Sequence, residues 1–505
     1  MLNRFLNWIE AAGNRLPDPL FLYAGMAGLV LVISALAAGL GWQQAHPVTG
    51  ETLRAVSLLT PDNLQRLFTE AVPNFITFPP LGTVLVTMIG IGLAERSGLI
   101  GTGLQLMVRT APQSLLSGIV VFAGVMSSMA ADAGYVVLVP LGAVIFAGLG
   151  RHPLAGLCAA FAGVGGGFSA NLLLTSLDPL LSGLTLKAAQ LYDPEYVVQP
   201  DANYYFLIVS TFLVTGLGWW VTEQIVEPRL GQWDPAHAED GVGDDGSPAE
   251  PGPTEKRGFW AALGTFAAVV AVAAALTVPA DGLFRGPDGG LGPFYEALIP
   301  LLALAFALPG IVYGLIVGSI RSTRSMATML TETMATMGGY IVLIFVIAQF
   351  VAYFQWSNLG ILLAISGASG LQALGIGDIP LMLAFVVLAA FINLVIGSAS
   401  GKWGVMATVF VPMFMILGMS PELTQATYRV GDSVTNIITP LNPYFAIILS
   451  FALRYDRRIG IGTLTAAMLP YSIAFGLGWT VLLVLWYLLG LPLGPGAPLS
   501  LPGGG

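Results

Sequence analysis

Charge is what this chain has least of. Asp, Glu, Lys and Arg make up 9% of its 505 residues, against 55% apolar residues. A soluble domain carries roughly 25% charged residues, so a water-exposed surface of this size could not be covered. Cysteine is nearly absent: Cys158 stands alone, which excludes an intrachain disulfide. The three histidines, His46, His152 and His237, are scattered, and no Cys/His/carboxylate cluster has metal-ligand spacing. There is no glycine loop of the phosphate-cradling kind, which removes the usual signature of ATP hydrolysis and leaves an ion gradient as the energy source. No Ser/His pair, tandem aspartate motif or metal-ligand set marks an intramembrane enzyme. The chain is expected to be a transporter and not an enzyme.

What is present is a series of apolar runs. Residues 260–280 and 459–505 contain no Asp, Glu, Lys, Arg or His. A bilayer crossing needs about 20 mostly apolar residues, and several such runs are more than one signal peptide explains. Nine crossings are expected, at 20–42, 74–94, 154–187, 204–226, 259–279, 297–320, 334–356, 422–453 and 462–490. Two further stretches, 113–150 and 379–418, are interrupted by small and polar residues, SSMAADAG at 127–134 and GSASGKWG at 397–404, and are expected as re-entrant hairpins.

Lys and Arg orient the chain. Arg4 and Arg15 put the N-terminus in the cytoplasm, and Arg96, Arg109, Arg151, Arg229, Lys256, Arg257, Arg321, Arg324, Arg454, Arg457 and Arg458 fall on the same side. The C-terminus then falls outside, and the parity works only if both interrupted stretches are re-entrant or if both span completely with compensating changes; the simpler, re-entrant choice makes the first hairpin enter from the cytoplasm and the second from the outside. Much of the net charge of -9 lies in the Pro- and Gly-rich segment 227–258, read as a solvated cytoplasmic loop.

Opposite entry is the mark of an inverted-topology repeat, and the residues repeat as well. Each tip carries one charge, Asp132 or Lys402, followed by a valine-proline pair (Val139-Pro140, Val411-Pro412) and a later proline (Pro153, Pro421). Ser169, Asn171 and Thr175 then match Ser433, Asn436 and Thr439, and Asp178-Pro179 matches Asn442-Pro443. The expected architecture is one all-α polytopic domain over 1–505, with a first repeat at about 74–226 and a second at about 297–490. Gly, Pro and hydroxyl residues at membrane depth imply broken helices lining a cavity. Freed carbonyls would then face a hard cation, and half-helix N-termini an anionic substrate. The plainer reading is close helix packing through small residues.

Charges inside apolar segments are functional candidates: Asp132, Asp178, Lys402, Arg429 and Asp432. Arg429 and Asp432 are three residues apart, on one helical face and within pairing reach. Either they neutralise each other, or Arg429 takes a substrate carboxylate with its planar fork while Asp432 couples to a cation or proton. Asp178 is a helix cap or a coupling acid. Trp403 is a stacking platform for an aromatic ligand or a membrane-interface residue, and Pro421 shapes a turn. A channel is the competing class; it needs a continuous ion path and no substrate-binding arginine in a broken helix.

The segments IEAAGNRLPDP (9–19), SSMAADAGYVVLVPL (127–141), GLGRHPLAG (148–156), GGFSANLLLTSLDPLLSG (166–183) and above all SGKWGVMATVFVPMFMILGMSPELTQATYRVGDSVTNIITPLNPYF (400–445) resemble the AbgT family of p-aminobenzoyl-glutamate transporters. The resemblance implies nine crossings, two opposed hairpins and a homodimer. It implies a substrate path bearing Asp178, Ser400, Trp403, Pro421, Arg429, Asp432 and Pro440, and a Na⁺ site near Asn393, Gly397 and Asp432. It implies no cofactor beyond such an ion. The substrates it suggests are p-aminobenzoyl-glutamate or p-aminobenzoate, with efflux of sulfonamide antimetabolites in some members, driven by protons or sodium. The expected partners are this aromatic acid, the bilayer of a bacterial inner membrane and a second copy of the chain, with no nucleic acid.

Overall fold

A computed structural model describes residues 19–45, 51–109, 112–128, 134–234, 238, 251–279, 281–287, 289–394, 396, 398–439, 442 and 444–501. Asp132, Gly397 and Pro440 lie outside the described residues, as do 235–237 and 239–250 of the acidic loop.

The fold is helical. A single two-stranded antiparallel ribbon, Gln43–Ala45 with Thr52–Arg54, is the sheet among the described residues. Seven described helices are long and apolar enough to cross a bilayer: Leu20–Gly39, Tyr204–Leu230, Pro253–Thr277, Gly292–Val317, Gly338–Trp356, Ala399–Ile416 and Ile461–Leu488. An eighth span exists if Pro79–Arg96 and Leu99–Arg109, bent by 59° at their junction, count as one. The remaining apolar helices are shorter: Gln113–Ser127, Gly134–Gly148, Pro153–Gly166, Leu359–Ala373 and Asp378–Asn393.

The distribution of polarity is reversed from that of a soluble protein. In Pro253–Thr277, only 6% of the most apolar window is buried, and Trp260 and Val272 point outward. Such a helix is stable where the surrounding solvent is lipid. In contrast, all fourteen residues of Pro421–Val434 are buried, although Glu422, Thr424, Gln425, Thr427, Arg429, Asp432 and Ser433 are polar or charged. The polar helix is the core and the apolar helices are the coat.

Two of the expected crossings are broken. The span expected at 154–187 is Pro153–Gly166 and Leu177–Ala189, joined by non-helical chain. The span expected at 422–453 is Pro421–Val434 and Phe445–Tyr455, again with a non-helical junction. Among the described residues the two halves share an order of elements: an apolar helix, a second apolar helix, a broken pair and a long final helix. Close backbone approach is possible where a side chain is missing. A Cβ on Gly431 would stand 2.4 Å from the carbonyl oxygen of Val386, and one on Gly163 would stand 2.3 Å from that of Val121. These glycines let Asp378–Asn393 lie against Pro421–Val434, and Leu116–Ser127 against the π-helical turn Ala162–Gly166.

Leu359–Ala373 was not foreseen. It packs on Ala399–Ile416, which is an 18-residue helix where the sequence suggested the half-helix of a hairpin.

Candidate functional site

Ser420 caps the polar helix, its Oγ accepting from the Leu423 amide at 3.1 Å, and Pro421 follows at the first helical position. Proline is preorganised there because its missing N–H would have had no partner. The helix then carries Tyr428, Arg429 and Asp432 into the interior.

Arg429 and Asp432 do not pair with each other. Arg429 Nη2 donates to Asp178 Oδ1 at 2.5 Å, across 251 residues of chain. Asp432 Oδ1 instead receives the Lys402 ammonium at 2.5 Å. The short-range expectation fails because each side chain finds an opposite charge on another element, and tertiary pairing outweighs helical proximity. All four groups are buried.

Asp178 lies in the first turn of Leu177–Ala189. Its Oδ2 accepts from the Thr175 amide at 2.6 Å and from Thr175 Oγ1 at 3.0 Å, so it caps the chain break and holds Arg429 together. Arg429 Nε is buried with no hydrogen-bond partner among the described residues, as are the hydroxyls of Ser169 and Ser433. Buried donors of this kind are costly unless something satisfies them.

Lys402 stands in the first turn of Ala399–Ile416, not at an exposed tip, and is 1% exposed. Its ammonium also donates to Asn393 Oδ1. Asn393 Nδ2 in turn reaches the Asp432 carbonyl at 2.6 Å, Thr435 Oγ1 at 2.8 Å and Asn436 Oδ1 at 2.9 Å. Tyr428 donates to Asp432 Oδ1 at 3.1 Å. Of the Na⁺ ligands expected, Asn393 and Asp432 are thus brought together, but around a tethered ammonium.

Trp403 lies in the interior, away from the outer surface of the helices. It is fully buried and stacked on Tyr428, centroids 4.5 Å apart. Its Nε1 donates to Thr185 Oγ1 at 2.9 Å, and Thr185 also bonds Gln425. Gln425 Nε2 continues to Asn203 at 2.9 Å.

Beside the two ion pairs lies a cavity of about 360 Å³. Ser176 and Leu177, next to Asp178, form one side; Ser400, close to Lys402, and Asn436, bonded to Asn393, form another. Tyr135 and Tyr444 complete it, their rings parallel within 5° and 4.2 Å apart. Sequence reasoning named Ser400, and Asn442 only as a repeat position, but missed Tyr135 and Tyr444; Asn442 and Tyr444 follow the second Ser/Asn/Thr group directly, which was the available signal.

Comparison with known proteins bears on this geometry. The model of the AbgT putative transporter family matches residues 4–501. The p-aminobenzoyl-glutamate transport protein of Escherichia coli (strain K12) is 34% identical over 498 residues, 98% of this chain and 96% of that protein. The YdaH transporter of Alcanivorax borkumensis, whose crystal structure has an unusual topology, is 48% identical with a TM-score of 0.90, covering 95% of this chain and 100% of that one. MtrF of Neisseria gonorrhoeae, whose structure illuminates a class of antimetabolite efflux pumps, is 46% identical with a TM-score of 0.92, covering 98% of this chain and 100% of that one.

Proposed function

The chain belongs to the AbgT family of transporters, and from that premise we propose that it is a secondary active carrier of p-aminobenzoate- and p-aminobenzoyl-glutamate-type aromatic acids, coupled to the proton gradient. The observation that carries the reading is the Asp178–Arg429 pair, buried between the two halves with Arg429 Nε left over. A guanidinium recognises a carboxylate through two parallel bonds. A substrate carboxylate therefore competes with Asp178 for Arg429. Displaced Asp178 would be a buried, uncompensated charge, which costs several kcal/mol. A proton taken up by Asp178 removes that cost. Carboxylate and proton thus load together, one proton for the carboxylate that Arg429 holds, so p-aminobenzoate is carried as a neutral set and p-aminobenzoyl-glutamate, with its second carboxylate, keeps one negative charge. Lys402 on Asn393 and Asp432 favours a proton over Na⁺ as the coupling ion.

The same reading places the chain in the bacterial inner membrane, N-terminus inside, with nine crossings, two opposed hairpins in an inverted repeat and a homodimeric assembly. The matching order of elements in the two halves supports the repeat.

The test is counterflow in proteoliposomes with labelled p-aminobenzoate and p-aminobenzoyl-glutamate under proton or Na⁺ gradients of each sign. Flux in the direction of the proton gradient is expected. Flux against it makes the chain an exchanger and overturns joint loading. Flux that follows only Na⁺ overturns the proton. Absence of flux under every gradient removes the substrate class.

A further inference from the structure

Trp403, with its ring buried against Tyr428, leaves the aromatic part of such a substrate without a platform. The cavity flanking the ion pairs supplies one. Its volume, about 360 Å³, is at the lower end of small-molecule sites, roughly 300–1,000 Å³. It suits a single ring with a short substituent. The Tyr135–Tyr444 stack joins the two halves: Tyr135 lies on the turn Gly134–Leu138 after the first tip, and Tyr444 ends the break in the second half. Tyr135 is held from behind by the edge of Phe161, centroids 6.2 Å apart.

Among the described residues the rest of the wall is neutral. Ser176, Ser400, Asn436 and Asn442 contribute hydroxyls and amides, and none of the described lining residues is Asp, Glu, Lys, Arg or His. The amides are anchored: Asn442 Nδ2 donates to the Asn436 carbonyl at 3.1 Å, and Asn442 Oδ1 accepts from the Tyr444 amide at 3.0 Å. Charge sits just outside, on Asp178 beyond Leu177 and on Lys402 beyond Ser400.

We infer that this cavity is the aryl subsite: the uncharged aminophenyl end of the substrate packs on the Tyr135–Tyr444 wall and bonds the Ser/Asn set, while the acid end reaches Arg429. The assignment rests on the aromatic-acid reading above. It divides recognition into a neutral aromatic part and a separate anionic part. A neutral arylamide is therefore a ligand of the same cavity, independent of Arg429.

The experiment is calorimetric titration of the purified full-length chain with p-aminobenzoate and with its neutral amide, p-aminobenzamide. Both are expected to bind. Tyr444→Ala and Tyr135→Ala should weaken both by about tenfold, the scale of one aromatic contact, whereas Tyr444→Phe keeps both. Arg429→Ala should lose the acid and keep the amide. Asn442→Asp, a small change that preserves shape, should weaken the acid more than the amide. Tyrosine variants that leave both affinities within about twofold, less than one aromatic contact supplies, overturn the subsite; an Arg429→Ala protein that still discriminates against the acid leaves the transporter reading standing. Binding of neither compound by the unmodified chain overturns the substrate class and the subsite together.

Discussion

The two buried ion pairs are built on opposite plans. Asp178–Arg429 joins the two halves of the molecule and leaves Arg429 Nε without a partner. Lys402–Asp432 is confined to the second half and is surrounded: Asn393 takes the ammonium a second time, and Tyr428 adds a hydroxyl to the carboxylate. A pair with a spare donor, lying between halves, can exchange its anion for another. A pair closed by its neighbours fixes the start of Ala399–Ile416 against the polar helix. Burial is equal in the two cases, so what distinguishes the pairs is the surplus of donors, and the proposed carboxylate site at Arg429 rests on that surplus.

The sharpest way to break this contrast is at Arg429. Arg429→Ala and Arg429→Lys should each reduce substrate counterflow by about a hundredfold or more, the scale of truncating a buried charged partner. Lysine fails because it lacks the fork. The double variant Asp178→Asn with Arg429→Gln leaves no stranded charge, so its thermal stability should recover while its flux does not. Recovered flux in that double variant would make the pair purely structural. The second pair should behave in reverse. Lys402→Met strands Asp432 and should cost about 3–5 kcal/mol, read as a fall in melting temperature. Adding Asp432→Asn should restore most of the loss, with counterflow retained. A refolded but inactive double variant would bring Lys402–Asp432 into the transport cycle.

Much of this was legible in the sequence because membrane segments announce themselves by composition. Long charge-free runs became helices, 260–277 within Pro253–Thr277 among them, and the Ser/Asn/Thr groups at Ser169–Thr175 and Ser433–Thr439 do lie at breaks. Leu359–Ala373 was missed because SGASG in its middle reads as a connector, and only packing on Ala399–Ile416 makes it a helix. Asp178, Lys402, Arg429 and Asp432 were named as candidates, and the one pairing that their spacing offered, Arg429 with Asp432, is replaced by two others. Spacing along one helix reports which residues share a face; it carries nothing about a carboxylate 251 residues away. For the same reason Trp403 was placed at a tip, when its partners Thr185 and Tyr428 come from two other helices.

Asp201 offers a finer probe of the first pair. It lies in the loop before Tyr204–Val221, buried, with Oδ1 unpartnered among the described residues. Burial, and then the negative charge of Asp178, push its carboxyl up to about 6. The unfolded chain gives up this proton near 3.8, the folded one near 6. The contribution to stability is therefore full below the lower value, falls as pH rises between the two, and is flat above. Asp201→Asn should remove this slope and raise stability at neutral pH by about 1–3 kcal/mol, measured by melting across the window. In an Asp178→Asn background the window should shorten from its upper end. An unchanged window would mean that Asp178 carries no charge in the resting pair.

Trp403 tests the smallest difference. Like Asp178–Arg429 it links the halves, through Nε1 to Thr185. Trp403→Phe keeps a ring on Tyr428 and removes only that donor. Thr185 Oγ1 still bonds the Leu181 carbonyl at 2.8 Å and Gln425, so the loss in stability should be about 1 kcal/mol or less. Affinity for p-aminobenzoate should stay unchanged, because the ring already covers Tyr428 and has no face to offer. If affinity instead falls about tenfold, Trp403 leaves Tyr428 during loading, and the contact between halves that it makes belongs with the first pair as a joint that opens rather than with the second as one that holds.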